Sequence, residues 1–141
     1  MIAPKGRNPN DMPQSLSKVY VHITFGTKHR QKLIDDSIEN ALFNYLGGIC
    51  KRLGCSPVRI GGYQNHVHIL CLLSRKISVM DLLEELKKSS SKWMKQQGDS
   101  YSDFYWQGGY GIFSVSASEV DRVIHYIDNQ EVNHRRRSFQ G

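Results

Sequence analysis

The apolar positions of the chain change period several times, and each change marks an element. Over "VYVHITFGT" (19–27), Val19, Val21, Ile23 and Phe25 alternate with Tyr20, His22 and Thr24. A period of two is a strand with one buried face. Ile38, Leu42, Tyr45, Leu46, Ile49 and Leu53 then recur at helical spacing, with Asp35–Ser37 as the N-cap and Gly54 as the stop. "SPVRIGGY" (56–63) and "HVHILCLL" (66–73) read as two strands, and the two-residue link Gln64-Asn65 makes them a hairpin. Ser78 with Asp81 forms a capping-box pattern. It opens a helix with Val79, Leu82, Leu83, Leu86, Trp93 and Met94 on its apolar side and Gly98 as its stop. "FYWQGGYGIFSVS" (104–116) is an aromatic, strand-like stretch. Ser118 with Asp121 caps a last helix running to about Asn129, with Val120, Val123, Ile124 and Ile127 as its buried stripe.

The order is therefore β-α-β-β-α-β-α. Its first six elements suit an α+β, ferredoxin-like arrangement, an antiparallel sheet with helices packed on one face. The other sheet face is expected to stay open, and the last helix stands as an appendage. Residues 1–15 are rich in Pro, Gly and Asn and are expected to form a flexible tail. Residues 16–141 make a single domain, with no internal repeat or linker to divide them. Met12, just ahead of the first patterned segment, is a candidate start.

Composition narrows the class. With 141 residues, 39% hydrophobic and 23% charged, the chain is an ordinary globular domain. No apolar run reaches the length of a membrane helix, and "MIAPKGRNPNDMPQSLSK" has no secretory h-region. Cys50, Cys55 and Cys71 are odd in number and lack CxxC spacing, so they read as reduced thiols in a cytoplasmic protein. A net charge of +6 favours an anionic partner, nucleic acid first. Charge alone gives simple solubility equal weight.

Candidate chemistry begins with His66 and His68. On a strand they project to one face, while Val67, Ile69 and Cys71 take the other. Two imidazoles at this spacing can chelate one metal ion. A bare His-x-His is more often a pair of solvated or hydrogen-bonded histidines, so a third ligand decides. No carboxylate flanks the pair, and the neighbour is Asn65. On the last helix, Tyr126 lies about 110° and Gln130 about 70° from the middle of the apolar stripe, on one flank. Each alone reads as an ordinary boundary or surface residue. Taken with the histidines, they suggest more. An amide oxygen such as that of Gln130 suits Mg2+ or Mn2+. A tyrosine beside such an ion could attack a phosphodiester whose phosphate the ion polarises.

These residues carry a resemblance. "NHVHIL", "YIDNQ" and, between and before them, "MPQSLSKVYVHITFGTKHR", "LKKSSSKWMK" and "WQGGYGIFSVS" stand in the order found in the HUH (His-hydrophobe-His) single-tyrosine transposases of small bacterial insertion sequences and their REP-associated relatives. The resemblance covers most of the chain from about Met12. It implies a DNA transposase that cuts and rejoins single-stranded DNA at mobile-element ends through a 5′-phosphotyrosine intermediate. Tyr126 would be the nucleophile. His66, His68 and Gln130 would hold Mg2+ or Mn2+. The DNA would carry hairpin ends. The enzyme would be a homodimer, with the tyrosine supplied in cis or in trans. Two features depart from the pattern: Asn65 stands where many relatives have Asp, and Asn133-His134 with a short end stands where relatives have paired histidines and a tail helix. The first eleven residues have no counterpart.

Several positions could meet DNA. Lys87, Lys88, Lys92 and Lys95 share a helix with Ser89–Ser91, and Arg135 and Arg136 lie in "HRRR" (134–137). Lys28, His29, Arg30 and Lys32 form a third basic patch. Tyr105, Trp106 and Tyr110 could stack bases, although aromatic strands more often serve a core or a dimer interface. His22 is expected to do no more than orient a ligand or phosphate. The competing readings are an inactive or domesticated relative that binds hairpin DNA, a ferredoxin-like RNA-binding module, and a metal-dependent hydrolase using water in place of Tyr126.

Overall fold

The structure, a computed structural model, describes residues 18–131. The expected tail, Arg135, Arg136 and the rest of the C-terminal basic patch lie outside the described residues. Seven elements follow in order: β1 (Val19–Gly26), α1 (Glu39–Arg52), β2 (Ser56–Tyr63), β3 (His66–Leu73), α2 (Val79–Lys95), β4 (Gly111–Val115) and α3 (Val120–Asp128). The strands form one antiparallel sheet in the order β2-β3-β1-β4. This is the ferredoxin-like, α+β arrangement expected from the pattern.

The alternation in β1 and β3 sets the core. Val21, Ile23 and Phe25 from β1 and Val67, Ile69 and Cys71 from β3 turn to one face. There they meet Leu42, Leu46 and Ile49 of α1 and Leu82, Leu83, Leu86 and Met94 of α2. Each such side chain contributes about 1.5–3 kcal/mol when fully buried, which is why both amphipathic helices settle on this face. Cys50, Cys55 and Cys71 are buried free thiols in the same core. The neighbouring Cys50 thiol and burial push the Cys71 thiol far above its ordinary range, so it stays protonated.

The helix signals hold at α2. Ser78 Oγ accepts from Asp81 N at 3.0 Å, as the capping pattern requires. Ser78→Ala should therefore lower stability by about 1 kcal/mol in urea unfolding, with the slope of the transition unchanged. At α1, Asp35 Oδ1 accepts from Ile38 N at 3.2 Å, one turn ahead of the assigned helix.

Three expectations change. The aromatic stretch 104–116 is strand only over Gly111–Val115; Phe104 to Tyr110 is a loop tied to β1 through the Thr27–Trp106 bridge. Trp106 is wedged edge-on against Phe25 and Phe104, so here the aromatic signal meant core packing and not a ladder. Ser118 does not cap α3, whose N-cap is Glu119 without a side-chain capping bond. Only Ile127 of its four-residue stripe is fully buried. Finally, the second sheet face is not open. α3 packs across β2 and β3 on the side opposite α1 and α2.

Candidate metal and tyrosine site

Gly61 explains how α3 reaches the sheet. It pairs with His68 across the β2–β3 ladder, so a side chain there would rise toward α3. A Cβ on Gly61 would lie 2.8 Å from Ile127 Cγ2 and 3.1 Å from the Ile127 carbonyl oxygen. Only a missing side chain admits the helix this closely. The Arg59 guanidinium adds a two-pronged bond to Asp128, at 2.9 and 2.8 Å. Gly61→Ala should displace α3 and weaken Mn2+ binding in titration calorimetry, whereas Gly61→Ala/Ile127→Ala should recover part of the loss. Recovery should stay incomplete because the Ile127 carbonyl remains in the way.

With α3 in place, the residues singled out in the sequence come together. His66 and His68 are 8% and 6% exposed, not solvated. Gln130, two residues past the end of α3, is buried at 3% exposure. Gln130 is not the surface residue that it reads as when taken alone, because its amide folds back. Its Nε2 donates at 2.9 Å to the Tyr126 carbonyl in the last turn of α3. That bond fixes which way the amide faces. Its Oε1 stands 3.0 Å from His66 Nε2.

The other side of His66 is fixed in the same way. Asn65 Nδ2 donates to the Arg30 carbonyl at 3.2 Å, which turns Asn65 Oδ1 toward His66 Nδ1, 2.9 Å away. One imidazole is thus held between two amide oxygens, and neither amide can flip without setting oxygen against oxygen. A neutral imidazole has a single N–H and can satisfy one of them. With the proton on Nδ1, the lone pairs of His66 Nε2 and Gln130 Oε1 converge. A cation between them would resolve this, as would an imidazolium carrying both N–H groups. The spacing agrees: two adjacent ligands of an octahedral ion, each about 2.1 Å from it, lie about 3.0 Å apart.

His68 shows the same logic. His22 Nε2 is 2.8 Å from His68 Nδ1. Burial pushes the His22 imidazole below its ordinary value, so it is neutral at pH 7. Its Nε2 can then accept the Nδ1 proton of His68, so that His68 Nε2 could serve as a ligating nitrogen. In metal sites the distal nitrogen is usually held by such an acceptor. His66 has Asn65 in this role and His68 has His22. His22 thus stands against His68, where a residue that orients a ligand would be placed. Among the described residues no group of three His, Cys, Asp or Glu side chains is arranged to hold a metal. The donor set is two imidazoles and an amide, which leaves further positions for water or phosphate oxygens. This fits Mg2+ or Mn2+.

Tyr126 comes from the same chain. Its ring is edge-on to His68 at 5.5 Å between centroids and 6.1 Å from His22. At 37% exposure it is open to a substrate while its neighbours are covered. The structure thus brings together Tyr126, His66, His68, Gln130, His22 and Asn65. The α2 lysines lie elsewhere. Lys87 Nζ bonds the carbonyls of Gln107 and Gly109, at 2.7 and 2.9 Å, and holds that loop. Burial lowers its affinity for the proton. Lys88 and Lys92 are exposed on the helix surface, and Lys95 covers the Tyr105 ring at 3.9 Å. Sequence reasoning missed Gly61, for which a glycine inside a strand was the available signal. It also missed the Arg30 carbonyl and Thr27, a buried polar residue whose amide donates to the Asn65 carbonyl at 2.9 Å. A backbone acceptor leaves no signal in a sequence.

The four-stranded antiparallel sheet with two helices on one face and a C-terminal helix on the other is a fold shared with solved transposase structures. A protein of Deinococcus radiodurans R1 assigned as a transposase shares it at a TM-score of 0.66 and 22% identity, over 91% of this chain and 98% of that one. A REP-associated tyrosine transposase bound to a REP hairpin shares it at a TM-score of 0.63 and 13% identity, over 84% of this chain and 70% of that one. The family model for IS200-like transposases matches residues 15–130, and the chain belongs to that family. No curated protein sequence matches the chain. No helix among the described residues is long and apolar enough to cross a membrane.

Proposed function

We propose that this transposase cuts and rejoins single-stranded DNA through a covalent bond between Tyr126 and a 5′-phosphate, with Mg2+ or Mn2+ held by His66, His68 and Gln130. The observation that carries the reading is the His66 ring between two anchored amide oxygens, with Tyr126 beside the same imidazoles. A bound divalent ion would act as a Lewis acid on a phosphate oxygen. The chain's own residues do the rest. Asn65 and His22 orient the imidazoles, and Gln130 ties the ion site to the helix that carries the tyrosine. Tyr126 Oη attacks phosphorus and loses its proton to solvent. The bond from phosphorus to the 3′-oxygen breaks, and that oxygen leaves as a 3′-hydroxyl. A second 3′-hydroxyl can later reverse the step on another end, because the phosphotyrosine conserves the ester bond.

The substrate follows from the relatives and the charge. A REP-associated transposase of this fold binds a REP hairpin, and hairpin ends on single-stranded DNA are the proposed substrate here. We further propose a homodimer acting in the cytoplasm, with the exposed lysines of α2 along the DNA. The test is incubation of the full chain with labelled single-stranded DNA carrying a hairpin from its own genomic flank, plus Mg2+ or Mn2+. A labelled band that survives denaturation and is lost on proteolysis supports the reading. Cleavage without any adduct would point to a hydrolase. Tight hairpin binding without cleavage would point to a relative that binds but does not transpose.

A further inference from the structure

Beside the imidazoles, on the same sheet face, β1 and β4 leave a floor almost without side chains. Gly26 pairs with His66 and Thr24 with His68, and Gly111 pairs with Thr24 on the next strand. A cavity of about 230 Å³ opens above Thr24, Gly26 and Gly111. A second, of about 690 Å³, is lined by Lys28, Arg30, Tyr105 and Trp106. The two share Arg30, Gln107 and Gly108 and so adjoin one another.

The lining is made for a nucleotide. The Arg30 guanidinium lies over Gly26, close enough that a Cβ there would be 3.1 Å from Nη1. It therefore stands next to His66. His29 and Arg30 both hold left-handed φ of 57°, a conformation disfavoured for side chains other than glycine. The turn they make delivers the Arg30 carbonyl to Asn65 and the Arg30 side chain to the groove. Gly109 holds a left-handed φ of 89°, a backbone conformation that favours glycine, and at Gly108 a Cβ would meet nothing within 4 Å. At the far end Tyr105 is 52% exposed, with Lys95 over its ring at 3.9 Å and Lys28 at 5.7 Å. Among the described residues, Lys28, Arg30 and Lys95 make no ion pair. Arg30 over the glycine floor, and Lys28 and Lys95 around an exposed aromatic ring at the far end, match a phosphate followed by a base.

We propose that the single-stranded DNA next to the scissile phosphate lies in this groove, with Arg30 on the adjacent phosphate, the Gly108–Gly111 turn close to the sugar-phosphate chain, and Tyr105 stacked on a base. The inference rests on the reading that Tyr126 acts on single-stranded DNA, and names where the neighbouring nucleotides sit. It assigns Arg30 to positioning through charge and Tyr105 to base contact.

Binding separates this from the chemistry. The full chain carrying Tyr126→Phe is titrated with fluorescein-labelled oligothymidylate, about a dozen residues long, by anisotropy at several salt concentrations. Tyr105→Ala should weaken binding about tenfold, and an abasic oligomer should bind equally to both proteins. Arg30→Gln should reduce the slope of log affinity against log salt by about 0.7, one phosphate's worth on a single strand. Tyr105→Phe and Arg30→Lys keep the ring and the charge and should stay within about twofold of the parent. The proposal is overturned if Tyr105→Ala binds like the parent, if the salt slope is unmoved in Arg30→Gln, or if the conservative variants fall as far as the others. An adduct at Tyr126 with none of these effects removes the groove and leaves the chemistry. These effects without any adduct remove the chemistry and leave the groove.

Discussion

Tyr126→Phe should abolish the covalent protein–DNA adduct and lower strand cleavage by at least about a thousandfold, the scale on which loss of a nucleophile acts. The substitution removes one oxygen. The ring and its edge-on contact with His68 remain, and Tyr126 contributes to the Gln130 bond only through its backbone carbonyl. The ion site should therefore survive, and the variant should bind Mn2+ and single-stranded DNA as the parent does. Such a split between intact binding and lost chemistry is expected of a nucleophile and not of a packing residue. Cleavage at more than about a tenth of the parent rate in Tyr126→Phe would mean that water, not Tyr126, attacks the phosphate.

The second large effect concerns the donor set. His66→Ala should lower Mn2+ affinity by more than about a hundredfold, because it removes a ligand where loss of a supporting partner alone costs about 10–100-fold. Asn65→Ala should fall within that supporting range: the ligand stays, but nothing holds its Nδ1 proton or its ring plane. Gln130→Glu should bind most nearly like the parent, since it keeps an oxygen facing His66 Nε2. It also loses the amide donor to the Tyr126 carbonyl, so its C-terminal turn should loosen. Chelation by EDTA should stop cleavage in the parent, and added Mn2+ should restore it. If calorimetry finds the same Mn2+ affinity in His66→Ala as in the parent, the site does not hold the ion. The geometry allows this ordering because the two outer bonds, Asn65 Nδ2 to the Arg30 carbonyl and Gln130 Nε2 to the Tyr126 carbonyl, fix which way both amides face His66.

What could be read in the chain follows element by element. The alternation at Val21, Ile23 and Phe25 and at Val67, Ile69 and Cys71 is enough to mark the core faces of β1 and β3, because successive strand side chains must point to opposite faces. The Ser78 cap was legible for a similar reason, since its partner Asp81 N is three residues away. The stretch 104–116 was not legible as a loop. Aromatic residues favour strands, but Trp106 is held by Phe25, Phe104 and Ser90, contacts that no local pattern contains. The stripe on α3 suggested a helix with one buried side, yet Gly61 decides how deeply it docks.

Local pattern suffices for the order of elements, the side of β3 from which His66 and His68 project, and the flank shared by Tyr126 and Gln130. Each of these depends on the period of a helix or strand, which covalent geometry sets within a few residues. Packing was needed to bring α3 over the second face of the sheet, to bury Gln130 against His66, and to place Asn65 and His22 at the Nδ1 positions of the two imidazoles. Those outcomes include bonds between residues 46 and 64 positions apart, and one of them depends on a backbone carbonyl, so they exist only once the sheet and the helix have come together.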